Sequence, residues 1–382
     1  MENGVKNINI ANGDNKPRDP WRIIIAGGGT GGHIFPAIAI ANALQTLDKN
    51  IDILFIGAKG KMEMEKVPQA GYLIEGLDIA GFNRQSLLKN IGLPYKLIKS
   101  FFQVKKIFQN FKPHAVIGVG GYSSFPVLRY AQSKGVPSFI HESNSFAGRS
   151  NILLGKKATR VYVATAGMEK FFPEEKIMIT GNPVRRNIAE SIISRGDALR
   201  FFGLEDQPKT VLAIGGSLGA RSINESLANH LTDFEKNGLQ LIWQTGKTTA
   251  AIYRQMGDGK KNIWVGDFIR EMEMAYAAAD IVISRAGAMS VAELCVAGKP
   301  TVFVPFPLAA EDHQTVNAMY LVNKQAALMI PNKEAKEKLV STIIGLSKNE
   351  ALENTLAKNI KQMAVLHADE TIAKSILTII SE

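Results

Sequence analysis

Five glycines fall within residues 27–32, Gly-Gly-Gly-Thr-Gly-Gly, and the ring of His33 follows immediately. The run lies where an apolar, strand-like segment, WRIIIA, gives way to an amphipathic helical pattern, IFPAIAIANAL. Glycine lets the chain take positive φ and lets another group approach the main chain. Placed just before a helix, it bares unpaired N–H groups and the positive end of the helix dipole, a seat for a phosphate or diphosphate. A second run, Gly-Gly-Ser-Leu-Gly-Ala at residues 215–220, follows TVLAI in the same way. Either turn alone is also at home as a tight strand-to-helix connection with no ligand. A dinucleotide-dependent oxidoreductase is disfavoured, because a ribose-binding acid is needed at the end of the second strand and ILFIGAKGK has none there. The P-loop sequence G-x-x-x-x-G-K-[ST] is also missing from the chain.

Turns of this kind need parallel strands to hold them. Short apolar runs alternate with helical patterns along the 382 residues, which predicts an α/β protein. RIIIAG, IDILFIG, HAVIGVG, PSFIHES, RVYVAT and KIMITG are the strand candidates of the first half, and TVLAIGG, LQLIWQTG, NIWVGDF, DIVISRAG, TVFVPF and AALMIP those of the second. Each set suffices for its own doubly wound sheet, and the length suits two domains. Residues 1–20 read as a loose polar tail, 21–185 as an N-terminal domain and 186–382 as a C-terminal one, with the connection in the Arg-rich stretch that starts at Pro183. The last helical pattern, apolar at Ile372, Ile376, Ile379 and Ile380, has to pack against one of the two lobes, the N-terminal one being an option. In such sheets ligands bind beyond the carboxyl ends of the strands, so two facing sheets make a cleft with glycine turns on both walls.

The charge is uneven. Residues 21–180 carry twenty Lys or Arg against ten Asp or Glu, which accounts for the whole formal excess of +10. No acid occurs between Asp78 and Glu142, while nine basic residues do. The first half should therefore meet something anionic: nucleic acid, a membrane face or a phosphorylated substrate. No run of eighteen apolar residues suggests a spanning helix. One cysteine, Cys295, excludes an internal disulfide and a Cys-based metal cluster, and its place in SVAELCVAG suits a small core residue in a cytoplasmic protein.

Seven segments, taken in order, resemble the MurG family of GT-B glycosyltransferases, the UDP-N-acetylglucosamine:undecaprenyl-pyrophosphoryl-muramoyl-pentapeptide N-acetylglucosaminyltransferases of peptidoglycan synthesis. They are GGTGGHIFPA (28–37), GGYSSFP (120–126), HESN (141–144), GNPVR (181–185), GGSLGA (215–220), SRAGAMSVAE (284–293) and DHQTVNA (312–318). The resemblance runs from about Trp21 to the end of the chain. It implies a GT-B fold, two Rossmann-like domains facing across a cleft. It also implies inverting transfer of N-acetylglucosamine from UDP-GlcNAc to the C4 hydroxyl of the MurNAc moiety of lipid I, giving lipid II for cell wall biogenesis, cell shape and cell division.

On that resemblance the donor is held by Thr30, Gly31, Gly32, Asn144, Arg185, Gly216, Ser217, Gly219, Ile269, Met289, Ser290, Glu293, His313 and Gln314. Glu293 suits the vicinal diol of a ribose, since one carboxylate can accept two hydrogen bonds. Arg285 is a further candidate to face the phosphates. UDP leaves as a stable anion, so positive potential around the diphosphate helps more than a strong acid would. Gly29, Gly120, Gly121 and Tyr122 would receive the acceptor's own diphosphate. The acceptor hydroxyl must lose a proton, and His33, at a helix start that favours the neutral imidazole, is the candidate base. His141 and Glu142 form a second catalytic cluster that shapes the acceptor site and steers His33. Leu218 and Ser143 each stand where the family usually has Gln, and His313 where many relatives have Gln. No Asp-x-Asp pair at a strand end suggests a resident metal; Mg2+ would act only by pairing with phosphates.

A polyprenyl acceptor stays in the bilayer, so the enzyme must dock there, at the cytoplasmic face of the bacterial inner membrane. Phe82, Leu87, Leu88 and Ile91, interleaved with Arg84 and Lys89, form the candidate lipid-touching patch. The helix after it, opened by Pro94 and ended by Pro113, should turn Leu97, Phe101, Val104 and Phe108 onto the sheet. Nucleic acid is not expected as a partner, because no recognition motif accompanies the charge. Two other readings remain open: a GT-B transferase acting on another lipid acceptor, and a non-catalytic nucleotide- or lipid-binding protein on this scaffold, which the departures at Leu218 and Ser143 would favour.

Overall fold

A computed structural model describes residues 19–81, 90–216, 218–309 and 312–382. Within these, two parallel sheets form. The first contains β1 (Trp21–Ala26), β2 (Ile51–Ala58), β3 (Leu73–Leu77), β4 (Ala115–Gly118), β5 (Ser138–Glu142), β6 (Arg160–Val163) and β7 (Ile177–Ile179), in the order β3-β2-β1-β4-β5-β6-β7. The second contains β8 (Lys209–Ile214), β9 (Leu239–Gln244), β10 (Ile263–Gly266), β11 (Ile281–Ser284), β12 (Thr301–Phe303) and β13 (Leu328–Met329), in the order β10-β9-β8-β11-β12-β13. Ile23, Ile24 and Ile25 are consecutive and fully buried, as are Leu241, Ile242 and Trp243. Runs apolar on both faces are what a parallel sheet covered by helices on each side demands.

The helices of the first lobe are α1 (Gly31–Leu47), α2 (Glu63–Gln69), α3 (Leu93–Phe111), α4 (Ser124–Ser133) and α5 (Arg149–Gly155). Those that follow are α6 (Arg186–Ala189), α7 (Arg195–Phe202), α8 (Arg221–Ala228), α9 (Leu231–Lys236), α10 (Ala250–Gly257), α11 (Met272–Ala278), α12 (Ala288–Ala297), α13 (His313–Val322), α14 (Ala335–Ser347), α15 (Glu350–Gln362) and α16 (Ala368–Ser381). The strand order reverses between β1 and β4 in one sheet and between β8 and β11 in the other. The loops leaving those four strands hold both glycine runs, the Gly120-Gly121 turn and the segment before α12, so the topology alone brings these motifs to two switch points.

The stretch read as the connection, Pro183 to Gln207, is partly built into the second lobe. Val184 and Ile188, and Leu199 and Phe202 of α7, already belong to the core around β8. Past α15 the chain returns: Ile372, Ala373 and Ile376 of α16 are fully buried in the core that contains Ile23, Ile25 and Ile34, and Tyr162 donates to Ser375 Oγ at 3.0 Å. The strand β3, absent from the sequence expectation, forms the edge of the first sheet with Leu73 and Glu75 exposed. Helix α3 buries Val104 and Phe108, while Leu97 and Phe101 are only partly covered. It also carries a second apolar stripe, Tyr95, Ile98 and Phe102, that stays in solvent.

Candidate active site

The first glycine turn is tied down by its own lobe. Gly27 N–H donates to the Ile56 carbonyl, Gly28 N–H to the Gly120 carbonyl at 3.3 Å, and Gly29 N–H to Glu63 Oε2 at 2.8 Å. Gly29 therefore has no amide to offer a diphosphate, against the sequence expectation. The amides of Gly31 and Gly32 open α1, where a helix has no internal acceptor for them. His33 is half-buried, and its Nδ1 donates to the Gly28 carbonyl at 3.0 Å, with Thr30 Oγ1 at 3.5 Å. With the proton on Nδ1, the lone pair sits on Nε2, the tautomer a base needs. Nε2 lies against Gly120, and Tyr122 leans between Gly29 and Gly81. The carbonyls of Gly120 and Gly121 are occupied, by Gly28 N–H and by Ser124 Oγ–H.

His141 and Glu142 sit at the end of β5 but do not face the cleft. His141 is 1 % exposed, and burial depresses its pKa to about 4, with the Gly181 backbone and Asn182 opposing and the nearby His33 adding a smaller push downward. Glu142 is 4 % exposed and its carboxylate accepts from the Asn144 and Gly148 amides, from Asn144 Nδ2 and from Asn151 Nδ2 at 2.8 Å. A carboxylate holding four donors is a loop organiser, and a ring enclosed in the core touches no substrate. The sequence reading assigned this pair a shaping and steering role rather than direct proton transfer, and neither side chain faces the cleft. The loop they shape reaches the other lobe, where Ser145 Oγ donates to Asn317 Oδ1 at 3.3 Å.

The second glycine turn is held differently. Gly219 N–H closes on the Gly216 carbonyl, so it is not available to a ligand as expected, and that carbonyl also accepts from Gln244 Nε2 at 3.0 Å. Gly216, at φ +82°, has open space where a Cβ would be. Leu218 is exposed, and Ser217 lies outside the described residues. Gln244 Oε1 accepts the Ile269 amide at 3.1 Å, and Ile269 is buried in the core. Ile269 thus offers a base neither its N–H nor an exposed side chain.

Met289, Ser290 and Glu293 share the first turns of α12. Glu293 is nearly buried; Arg185 Nε and Nη2 both donate to its Oε1 at 3.1 Å, and the Tyr276 hydroxyl donates to Oε2 at 3.1 Å. Burial pushes the Glu293 pKa up, with Arg185 and Tyr276 opposing it, and burial beside this carboxylate holds the Tyr276 hydroxyl well above its ordinary range. The Arg185 guanidinium also lies 5.2 Å from the Phe35 ring centroid. One side chain from the connection thus joins α1 to α12. Arg285 differs from expectation: it donates to the Val304 and Pro305 carbonyls and to Asn332 Oδ1, and burial lowers its pKa to about 10. On α13, Gln314 Oε1 accepts the Phe306 amide at 2.9 Å, one position beyond the half-buried His313.

Five functional neighbours escaped the sequence reading: Glu63, Asn151, Gln244, Tyr276 and Asn317. Each acts by reaching a residue distant in the chain, and spacing carries no mark of that. Of the lipid-touching patch, Phe82, Arg84, Leu87, Leu88 and Lys89 lie outside the described residues, and Ile91 is 74 % exposed.

Models of glycosyltransferase family 28 match both halves of the chain, the N-terminal domain over residues 23–163 and the C-terminal domain over 210–372. The UDP-N-acetylglucosamine–N-acetylmuramyl-(pentapeptide) pyrophosphoryl-undecaprenol N-acetylglucosamine transferase of Parabacteroides distasonis is 49% identical over 365 residues, covering 95% of this chain and 99% of its own. The transferase of the same name from Bacteroides fragilis is 47% identical over 377 residues, with coverages of 97% and 98%. Among solved structures, Acinetobacter baumannii MurG superposes with a TM-score of 0.74 at 30% identity, covering 94% of this chain and all of that one. A UDP-GlcNAc 2-epimerase from Neisseria meningitidis, at 13% identity and a TM-score of 0.65, shares the fold alone.

Proposed function

The chain belongs to glycosyltransferase family 28, to its UDP-N-acetylglucosamine–N-acetylmuramyl-(pentapeptide) pyrophosphoryl-undecaprenol N-acetylglucosamine transferases, and on that footing we propose how its two lobes divide the work. The reaction moves N-acetylglucosamine from UDP-GlcNAc to lipid I and yields lipid II. His33 Nε2 takes the proton of the MurNAc C4 hydroxyl as its oxygen bonds to the anomeric carbon. The anomeric carbon–oxygen bond to UDP breaks on the opposite face, and UDP departs with the electron pair, inverting the centre.

The donor lies on the second lobe. Gly216 faces its diphosphate, Met289, Ser290 and Glu293 its ribose side, and His313 and Gln314 its sugar. The acceptor lies on the first lobe, its diphosphate against Gly120, Gly121 and Tyr122, while the first-turn amides Gly31 and Gly32 face the donor across the cleft. Arg185 carries this reading: it touches Phe35 of α1 and Glu293 of α12 at once, so the two helix starts converge on one cleft. Arg185 and Glu293 are paired with each other. Donor binding separates them, the guanidinium turning to the diphosphate and the carboxylate to the ribose diol.

Lipid I remains in the bilayer, and α3 is the surface that meets it. Ile91, Tyr95, Ile98 and Phe102 are exposed along one side, flanked by the exposed Lys105 and Lys106. Each basic residue near an anionic surface contributes about 1 kcal/mol. No helix among the described residues is long and apolar enough to cross a membrane. The attachment we propose is peripheral, through α3, at the cytoplasmic face of the inner membrane. No step here passes through a protein-bound metal; Mg2+ would act on the phosphates.

Incubation of the purified chain with UDP-GlcNAc and a short-chain lipid I analogue tests the whole reading. The expected products are UDP and the lipid II analogue with a β-linked sugar. Hydrolysis without transfer, transfer only to a different lipid, or nucleotide binding without turnover would each overturn it.

A further inference from the structure

Glu63 opens α2 and is 1 % exposed, yet its carboxylate is directed away from solvent into the first glycine turn. Oε2 accepts from Gly29 N–H at 2.8 Å and Oε1 from Ala58 N–H at 3.0 Å. The side chain also fills space that two glycines leave vacant. A Cβ on Gly28 would collide with the Glu63 carboxyl group, and one on Gly57 would collide with its Cγ. The carboxylate therefore occupies the place, beside a glycine turn and a helix start, where a doubly wound domain of this kind receives a phosphate. An anion is present there permanently, and it belongs to the protein.

The consequence reaches His33 through one residue. Gly28 is bound on one side by Gly120 and covered on another by Glu63, and its carbonyl is the acceptor for His33 Nδ1–H. Moving Gly28 would release that hydrogen bond and let the imidazole proton exchange between Nδ1 and Nε2. We propose that Glu63 is a positioning residue for the transfer: its carboxylate fills the anion seat of the first glycine turn and fixes Gly28, so that His33 keeps its proton on Nδ1 and its lone pair on Nε2. This rests on His33 being the base.

The test is Glu63→Gln, which keeps the volume but turns an NH2 group toward one of the two amides. Losing a charge-assisted hydrogen bond of this kind is worth roughly tenfold to a hundredfold. The expected result is a drop of that size in kcat with the KM for UDP-GlcNAc and the UDP affinity within about twofold of the parent. In a His33→Ala background the same substitution should change turnover no further, because the two residues act as one unit. Ring-carbon NMR shifts should report the Nδ1–H tautomer of His33 in the parent and a mixture in the variant. If the amide variant does not fold, Glu63→Asp, which keeps charge and shortens reach, should show the same split. Unchanged kcat beside an inactive His33→Ala enzyme would overturn the proposal, as would a parallel loss of UDP affinity or an additive double variant. A His33→Ala enzyme of full activity would instead overturn the base assignment.

Discussion

The two glycine turns are built from nearly the same letters and end in different states. In the first, Gly27, Gly28 and Gly29 each give their N–H to the lobe itself, and a buried carboxylate sits where an anion would bind. In the second, Gln244 and the internal bond from Gly219 hold the turn, but Gly216 faces open space. A glycine-rich turn before a helix is therefore a device for bringing main chain close to something, and the neighbouring elements decide what. In the first lobe that something is Glu63, and the turn becomes a mount for a histidine. In the second the space at Gly216 stays open.

Four experiments separate these states. His33→Ala should lower kcat at least about a hundredfold, the loss of a positioned base, with UDP affinity by calorimetry nearly unchanged. Activity close to the parent would make the first turn a scaffold only. Gly28→Ala should cost about 3 kcal/mol or more of folding stability, since a methyl group must displace the Glu63 carboxyl, whereas Gly216→Ala carries only the strain of a positive φ, about 1 kcal/mol. Equal melting shifts for the two would erase the contrast.

The third concerns His141, whose folded pKa of about 4 lies below the unfolded value near 6.5. The unfolded chain binds the extra proton first, so this contribution is fully present above pH 6.5 and is lost as pH falls toward 4. It amounts to up to about 3 kcal/mol, and His141→Gln should flatten that part of the melting-temperature profile. An unchanged slope would remove the residue from the first lobe's acid sensitivity. Last, Glu293→Ala should weaken UDP about thirtyfold, some 2 kcal/mol. Calorimetry showing parental affinity would take α12 out of the donor site.

Much of the frame was legible because it follows from local chemistry. WRIIIA, HAVIGVG and DIVISRAG each carry a short apolar run that leads to glycine, and they became β1, β4 and β11 at the two switch points. β3 was not legible: LIEGL has a glycine and a charge in five residues, and it forms only because β2 offers it an edge. The site was legible in its motifs and not in its contacts. HESN suggested two catalytic side chains, but whether a histidine at a strand end points into a cleft or into the core depends on register and on the helices above it. Burial of His141 and saturation of Glu142 are products of tertiary packing. The ribose-type acid sought at the end of the second strand was also near: Glu63 reaches back from the next helix to the same turn.

The return of α16 to α1 separates the order of synthesis from the order of assembly. Strands β1 to β7 leave the ribosome early, but one wall of the layer over β1 is supplied by Ile372, Ala373 and Ile376, after the entire second lobe has been made. Until then the nascent first lobe shows a bare apolar groove along α1, a surface for chaperones during translation. Once seated, the helix makes each lobe a lien on the other: a lesion that melts the second half also uncovers the first.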